Sequence, residues 1–188
     1  MVQSLARDPR FSPCVGVFLA QLDDQLRRMH AFLEGWKVSH LEWQAKPGRN
    51  SAGMLLTHLA ITELVWMHLA NGGARDTREA RVRATLGISL EEDGIPLPPD
   101  GRHAGELSGR TVDEYLGWLD RARAATHEIA GAWSDEDLER TFVVNQHEFT
   151  REWVLYHLVE HFAAHFGQIA LLGHMMRDNK GKVPYRET

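Results

Sequence analysis

Three histidines at successive i, i+4 steps stand in the stretch His157-Leu-Val-Glu-His161-Phe-Ala-Ala-His165-Phe-Gly-Gln168. An α-helix turns by about 100° per residue, so side chains four apart lie one turn apart on one face. Two imidazoles so placed can share one divalent ion. Polar residues on a wet helix face are the plainer alternative, and the neighbours decide between the two. On a helical wheel Val154, His161, His165, Gln168, Leu172 and Met175 fall within about 80° of His157, on one stripe. Such a stripe is expected to face a core, where an uncompensated polar group costs free energy. A lone core histidine needs only a hydrogen bond. Three along one apolar stripe point to a metal ion.

A further imidazole lies upstream. His58 shares its wheel sector with Met54, Ile61, Val65 and Leu69, so it too is expected to point inward. It lies roughly 10 Å from the start of its helix, and His165 roughly 18 Å before the end of the last one; antiparallel packing would bring them to compatible heights. Alone, His58 reads as a hydrogen-bonded core residue; beside the later histidines it reads as a ligand. Neutral imidazoles from two helices leave open positions for water or substrate, as catalytic sites do. Gln168 shares the stripe and could orient a water or ligand as readily as make a core hydrogen bond. Glu160 reads as a flank residue or as an outer acceptor for a ligand's second ring N–H. Glu63 falls about 140° around the helix from His58 and reads as an ion-pairing or packing residue. His68, His127, His147 and His174 lack matching spacing and read as surface or bundle-edge positions, while His103 could line the mouth of the site.

The elements that must carry these residues can be read from periodicity. Helices are expected over about residues 13–36, 51–70, 111–133 and 150–178, with no strand. Pro13 suits a first helical position, and Val17, Leu22, Leu26, Met29 and Leu33 form an apolar stripe. Asn50 or Ser51 can cap the second helix, Asn71-Gly72-Gly73 stops it, and Thr111-Val-Asp-Glu114 fits a capping box for the third. The fourth is expected to stop before Gly181 and Pro184. The connection over residues 72–110, with Gly94-Ile-Pro-Leu-Pro-Pro-Asp-Gly101, is long enough to be functional or a crossover. Short links make antiparallel pairs, and the long one lets helices two and three run parallel. The expected fold is all-α: one four-helix bundle over residues 1–188, up-down-down-up, with a long crossover between helices two and three.

Composition narrows the class. The chain has 188 residues, 43% of them hydrophobic and 25% charged, which is ordinary for a soluble domain with a substantial core. A formal charge of −5 without a dense Lys/Arg run argues against nucleic-acid binding. Cys14 is the single cysteine, excludes an intramolecular disulfide, suits a reducing cytosol and reads as a packed apolar residue. The apolar run Cys14–Ala20 makes a poor signal peptide, and no run appears long enough to span a bilayer, so a cytoplasmic protein without a membrane partner is expected. His157-Leu-Val-Glu160-His161 also satisfies an inverted zinc-peptidase pattern. That chemistry needs a distant carboxylate ligand and a larger fold; Glu187, in the short tail, is a poor candidate.

Four segments carry a resemblance to a known family: Arg49-Asn-Ser51; Leu55-Leu-Thr-His-Leu-Ala60 with Glu63; Trp153-Val-Leu-Tyr-His-Leu-Val-Glu-His161; and His165-Phe-Gly-Gln-Ile169. In this order they resemble the DinB/YfiT superfamily of metalloenzymes. The resemblance implies an up-down-down-up four-helix bundle, often a homodimer, holding a divalent metal. Nickel or zinc leads, with iron as a further candidate. His58, His161 and His165 are implied as the ligands. His157 matches a position that often carries histidine outside this triad, and is expected to hold a ligand or bound water. Phe166 departs from the pattern, which often has arginine there. Relatives include S-transferases and isomerases dependent on low-molecular-weight thiols. A metal-dependent enzyme acting on a small molecule is therefore implied, as a thiol S-transferase or a hydrolase. Arg49, Arg102 or Arg110 would hold a carboxylate of the thiol cosubstrate. The reading from another class is a non-catalytic, metal-binding stress-response protein whose ion staples the fold.

Overall fold

Pro13 opens α1 (Pro13–Leu33), and its first turn is capped from afar: the Asp135 carboxylate accepts from the Cys14 N–H at 3.0 Å. After the short α2 (Val38–Leu41), Ser51 caps α3 (Ala52–Ala70) by accepting from the Met54 N–H at 3.3 Å. α4 (Arg78–Leu86) ends on Gly87, whose φ of 77° lets the chain leave the helix in the left-handed region. Thr111 and Glu114 form a reciprocal capping box at the start of α5 (Val112–Ala130). The hairpin β1 (Thr141–Val144) and β2 (His147–Thr150) then leads directly into α6 (Arg151–Asp178), where Thr150 Oγ1 accepts from the Trp153 N–H. This computed structural model describes residues 4–93 and 97–178.

α3 is the central helix. It packs on α5, α6, α4 and α2, while α1 closes against α5 and α6. Buried residues therefore occupy nearly every face of α3, from Ala52 through Leu55, Leu59 and Ile61 to Ala70. One apolar cluster gathers Leu26, Met29, Leu33, Leu55, Leu59, Tyr115 and Phe162; a second gathers Val15, Leu19, Leu22, Met67, Trp133, Val154 and Leu158. Among the described residues α3 is the one helix long and apolar enough to cross a membrane by length and composition, and 72% of that stretch is buried inside the protein. An all-round apolar helix is what a central position requires.

The structure departs from the sequence expectations at four places. A strand pair is present, with Phe142 opposite Phe149 and Asn145 and Gln146 at φ 50° and 70° in the turn. Two left-handed residues make the turn suited to a tight hairpin, but Asn-Gln lacks the glycine that advertises it. The 72–110 connection is not bare loop, since α4 buries Val82 and Leu86. The first helix ends at Leu33 rather than Trp36, and α2 follows it. Cys14 is exposed rather than packed, because α1 turns that position outward. The Gly94, Gly181, Pro184 and Glu187 positions lie outside the described residues.

Candidate metal centre

α3 and α6 lie side by side, and each turns histidines toward their shared groove. His58 comes from α3, His161 and His165 from successive turns of α6. The Nε2 atoms of His58 and His161 are 2.9 Å apart, those of His165 and His161 3.0 Å. One ring nitrogen from each of the three lies within 4.8 Å of the others, and no other group of three His, Cys, Asp or Glu among the described residues converges so. The rings meet edge to face, with centroids 4.4–4.9 Å apart.

The outer faces of two rings fix the inner ones. His58 Nδ1 lies 2.6 Å from Asp93 Oδ1, and His165 Nδ1 lies 2.8 Å from Gln168 Oε1. Carboxylate and amide oxygens accept, so each Nδ1 carries the proton and each Nε2 offers a lone pair to the centre. With neutral imidazoles, His161 Nε2 has at most one hydrogen to place in two short contacts. At least one contact then brings two lone pairs together. A cation bound by all three resolves that conflict, and three neutral nitrogens suit zinc, nickel or iron.

Electrostatics favours the neutral forms that such binding needs. Burial pushes His161 down to about 3, helped by His165, His58 and His157 nearby. Burial also lowers His165; its bond to Gln168 and the Asp93 charge oppose this, and His58 reinforces it. All three rings are half-buried, at the edge of the apolar stripe of α6 rather than in its middle. That stripe is Val154, Leu155, Leu158, Phe162, Ile169 and Leu172.

Of the other expected site residues, Gln168 joins the three rings while His157 and Glu160 stand apart. His157 stands one turn from His161 but stacks on Trp153, with centroids 4.8 Å apart and planes 11° off parallel. Its Nδ1 donates to Glu160 at 3.1 Å, and Tyr156 donates to the same carboxylate at 3.0 Å. Glu160 therefore serves His157 and Tyr156, not a ring of the converging three. Its carboxyl is held low chiefly by the His157 hydrogen bond, then by that of Tyr156. Gln168 is the outer acceptor, on His165. Phe166 packs edge-on against Phe32, with Arg28 over its face.

Glu63 forms a buried bidentate pair with Arg123 at 2.8 and 3.1 Å and accepts from Thr126, the ion-pairing role expected of it. His127 is half-buried against Asp23, His68 bonds Thr77, and His147 and His174 are exposed. His103 bonds Ser51 Oγ at 2.7 Å, tying the long connection to the cap of α3 instead of lining a mouth. Arg110 pairs with Glu114 and lies over Trp118, Arg102 is exposed, and Arg49 lines a cavity that reaches Gln168. Sequence reading missed Asp93, and Thr62, whose Oγ1 lies 3.4 Å from His58 Nδ1. Asp93 sits in a 3-10 turn of the long connection, and the length of that connection was the one signal available.

Comparison with known proteins gives one family. The model of the DinB superfamily matches residues 21–169. Among solved structures, a DinB-like protein from Bacillus cereus ATCC 10987 is similar, at 17% identity over 90% of this chain and 95% of that one, with a TM-score of 0.49. No curated protein matches the chain.

Proposed function

The chain belongs to the DinB superfamily, and from that premise we propose a divalent-metal protein in which His58, His161 and His165 hold the ion for a reaction on a small molecule. The observation that carries this reading is the convergence of three Nε2 atoms whose lone pairs are aimed by hydrogen bonds on the far side of two rings. Nickel or zinc is the ion that we assign. A divalent ion with open positions supplies Lewis-acid activation of a thiol or water near neutral pH.

The protein's own residues set the conditions for it. Asp93 and Gln168 hold two rings in one tautomer and orientation. Half-burial leaves one side of the histidines facing outward, which favours reaction over a sealed, stapling ion. Cys14 is bound to Asp135 at the start of α1, so the chain contributes no thiol at the histidines. A low-molecular-weight thiol from outside fits that gap, and S-transfer to an electrophilic small molecule is the activity that we assign. A hydrolase using water on the same ion is the second form of this reading.

The finer architecture goes with it: a single-domain, up-down-down-up four-helix bundle of α1, α3, α5 and α6, in the cytoplasm, without nucleic-acid or membrane partners. A homodimer would form along the outward face of α6, where Trp153, Tyr156, Ala163, Ala164 and Gly167 are exposed. Sedimentation equilibrium is expected to give twice the chain mass; a monomer at all accessible concentrations would remove the dimer. The site itself is tested by elemental analysis of protein purified without a histidine tag. Near-stoichiometric nickel or zinc is expected in the wild type and absent in His161→Ala. Metal-free wild type that takes up neither ion would sink the assignment.

A further inference from the structure

A cavity of about 550 Å³ opens between the segment that precedes α3 and the C-terminal half of α6, with Gln168 rather than any of the three histidines in its wall. Its volume falls within the roughly 300–1,000 Å³ that small-molecule sites occupy. Two of its walls belong to the helices that carry the histidines. Gln168 lines it and accepts from His165 Nδ1, while Leu55 stands one turn before His58 on α3. Leu55, Leu172 and Met175 make this helical side apolar. The opposite side is cationic, with Lys46 and Arg49 both exposed and neither paired with a carboxylate among the described residues. Both cations stand just ahead of the α3 N-terminus, whose backbone dipole adds potential of the same sign.

We propose that this cavity binds a small carboxylate with an apolar body, its head on Lys46 and Arg49 and its body against Leu55, Leu172 and Met175. Arginine and lysine recognise a carboxylate through charge-assisted hydrogen bonds, and the apolar wall rewards a hydrocarbon body. A heavily hydrated polyanion would leave that wall wet. Gln168 joins the cavity to the Nδ1 side of the His165 ring, away from the converging Nε2 atoms, so a molecule held here bears on the histidines through Gln168. The cavity's bearing on the reaction, through Gln168 and the orientation of His165, rests on the metal reading above; its chemistry of recognition does not.

The experiment is calorimetric titration with octanoate and with octanamide, which has the same body and no charge. It is run on the full chain as wild type, as Lys46→Gln/Arg49→Gln and as His161→Ala, with metal content measured on each. Octanoate is expected to bind the wild type at least tenfold more tightly than octanamide. That preference should vanish in the double variant with its metal content unchanged, and persist in His161→Ala. Equal binding of the two probes by the wild type overturns the proposal, and so does a preference that survives in the double variant, since the carboxylate would then be held elsewhere. A normal preference in a wild type that takes up no metal keeps the carboxylate site and removes its bearing on the reaction.

Discussion

Asp93 has the greatest leverage of any side chain near the histidines that is not itself one of them. It accepts from His58 Nδ1 at 2.6 Å and is the charged member of that pair. Asp93→Asn keeps the shape and removes the charge, so we expect nickel or zinc affinity to fall by roughly 10–100-fold, read by chelator competition at fixed pH. Glu160→Gln should leave that affinity unchanged, because Glu160 serves His157 and Tyr156. The Glu63–Arg123 pair works through burial instead, with side chains 3% and 5% exposed. Glu63→Ala would leave Arg123 with only Asp23 at 3.4 Å, and urea unfolding should report a loss of about 3–5 kcal/mol. At this scale helical spacing made His161, His165 and Gln168 legible but grouped His157 with them equally, and the family resemblance was what singled out His58, His161 and His165. Asp93 was not legible: its partner lies 35 positions away with no periodic relation between them. Glu160, read as a flank residue or as an outer acceptor for a ring N–H, is an exposed flank residue that accepts from His157 and Tyr156, because a donor and an acceptor about one helical turn apart satisfy each other before either reaches across a groove.

The elements obey local chemistry wherever a strong local signal exists. Pro13, Ser51 and the Thr111–Glu114 box begin their helices as their residue types demand. The 3.6-residue period made α1, α3, α5 and α6 readable, although α3, apolar all round, gave a composition signal more than a stripe. α4 escaped notice because only Val82 and Leu86 face inward over nine residues, too few to establish a period. The hairpin escaped because its turn residues are Asn145 and Gln146. Gln146 holds φ at 70°, a conformation that costs a side-chain-bearing residue about 1 kcal/mol. Gln146→Gly should therefore raise stability by up to about 1 kcal/mol, seen as a higher urea midpoint at unchanged slope. A lower midpoint would mean that the Gln146 side chain contributes more than its backbone loses.

For the molecule as a whole, acid is the informative stress. Burial raises the Asp23 carboxyl, but the His127 hydrogen bond, its charge and Arg123 together bring it below its usual 3.8. A carboxyl lowered by folding stabilises the protein above its unfolded-state value, and that stabilisation is lost as pH falls through the folded one. The stability gap between wild type and Asp23→Asn should close as pH drops below 3.8. A gap that stays constant into strong acid would assign the contribution to shape rather than charge. The largest consequence concerns the connection between α3 and α5. Because Asp93 belongs to it and grips His58, occupancy of the histidines and order in that connection are two readings of one equilibrium. Amide protection along residues 78–93 should rise when the ion binds. Trimming Val82, which buries α4 against the core, should weaken the ion's hold, so affinity can be retuned from a residue that never touches the site.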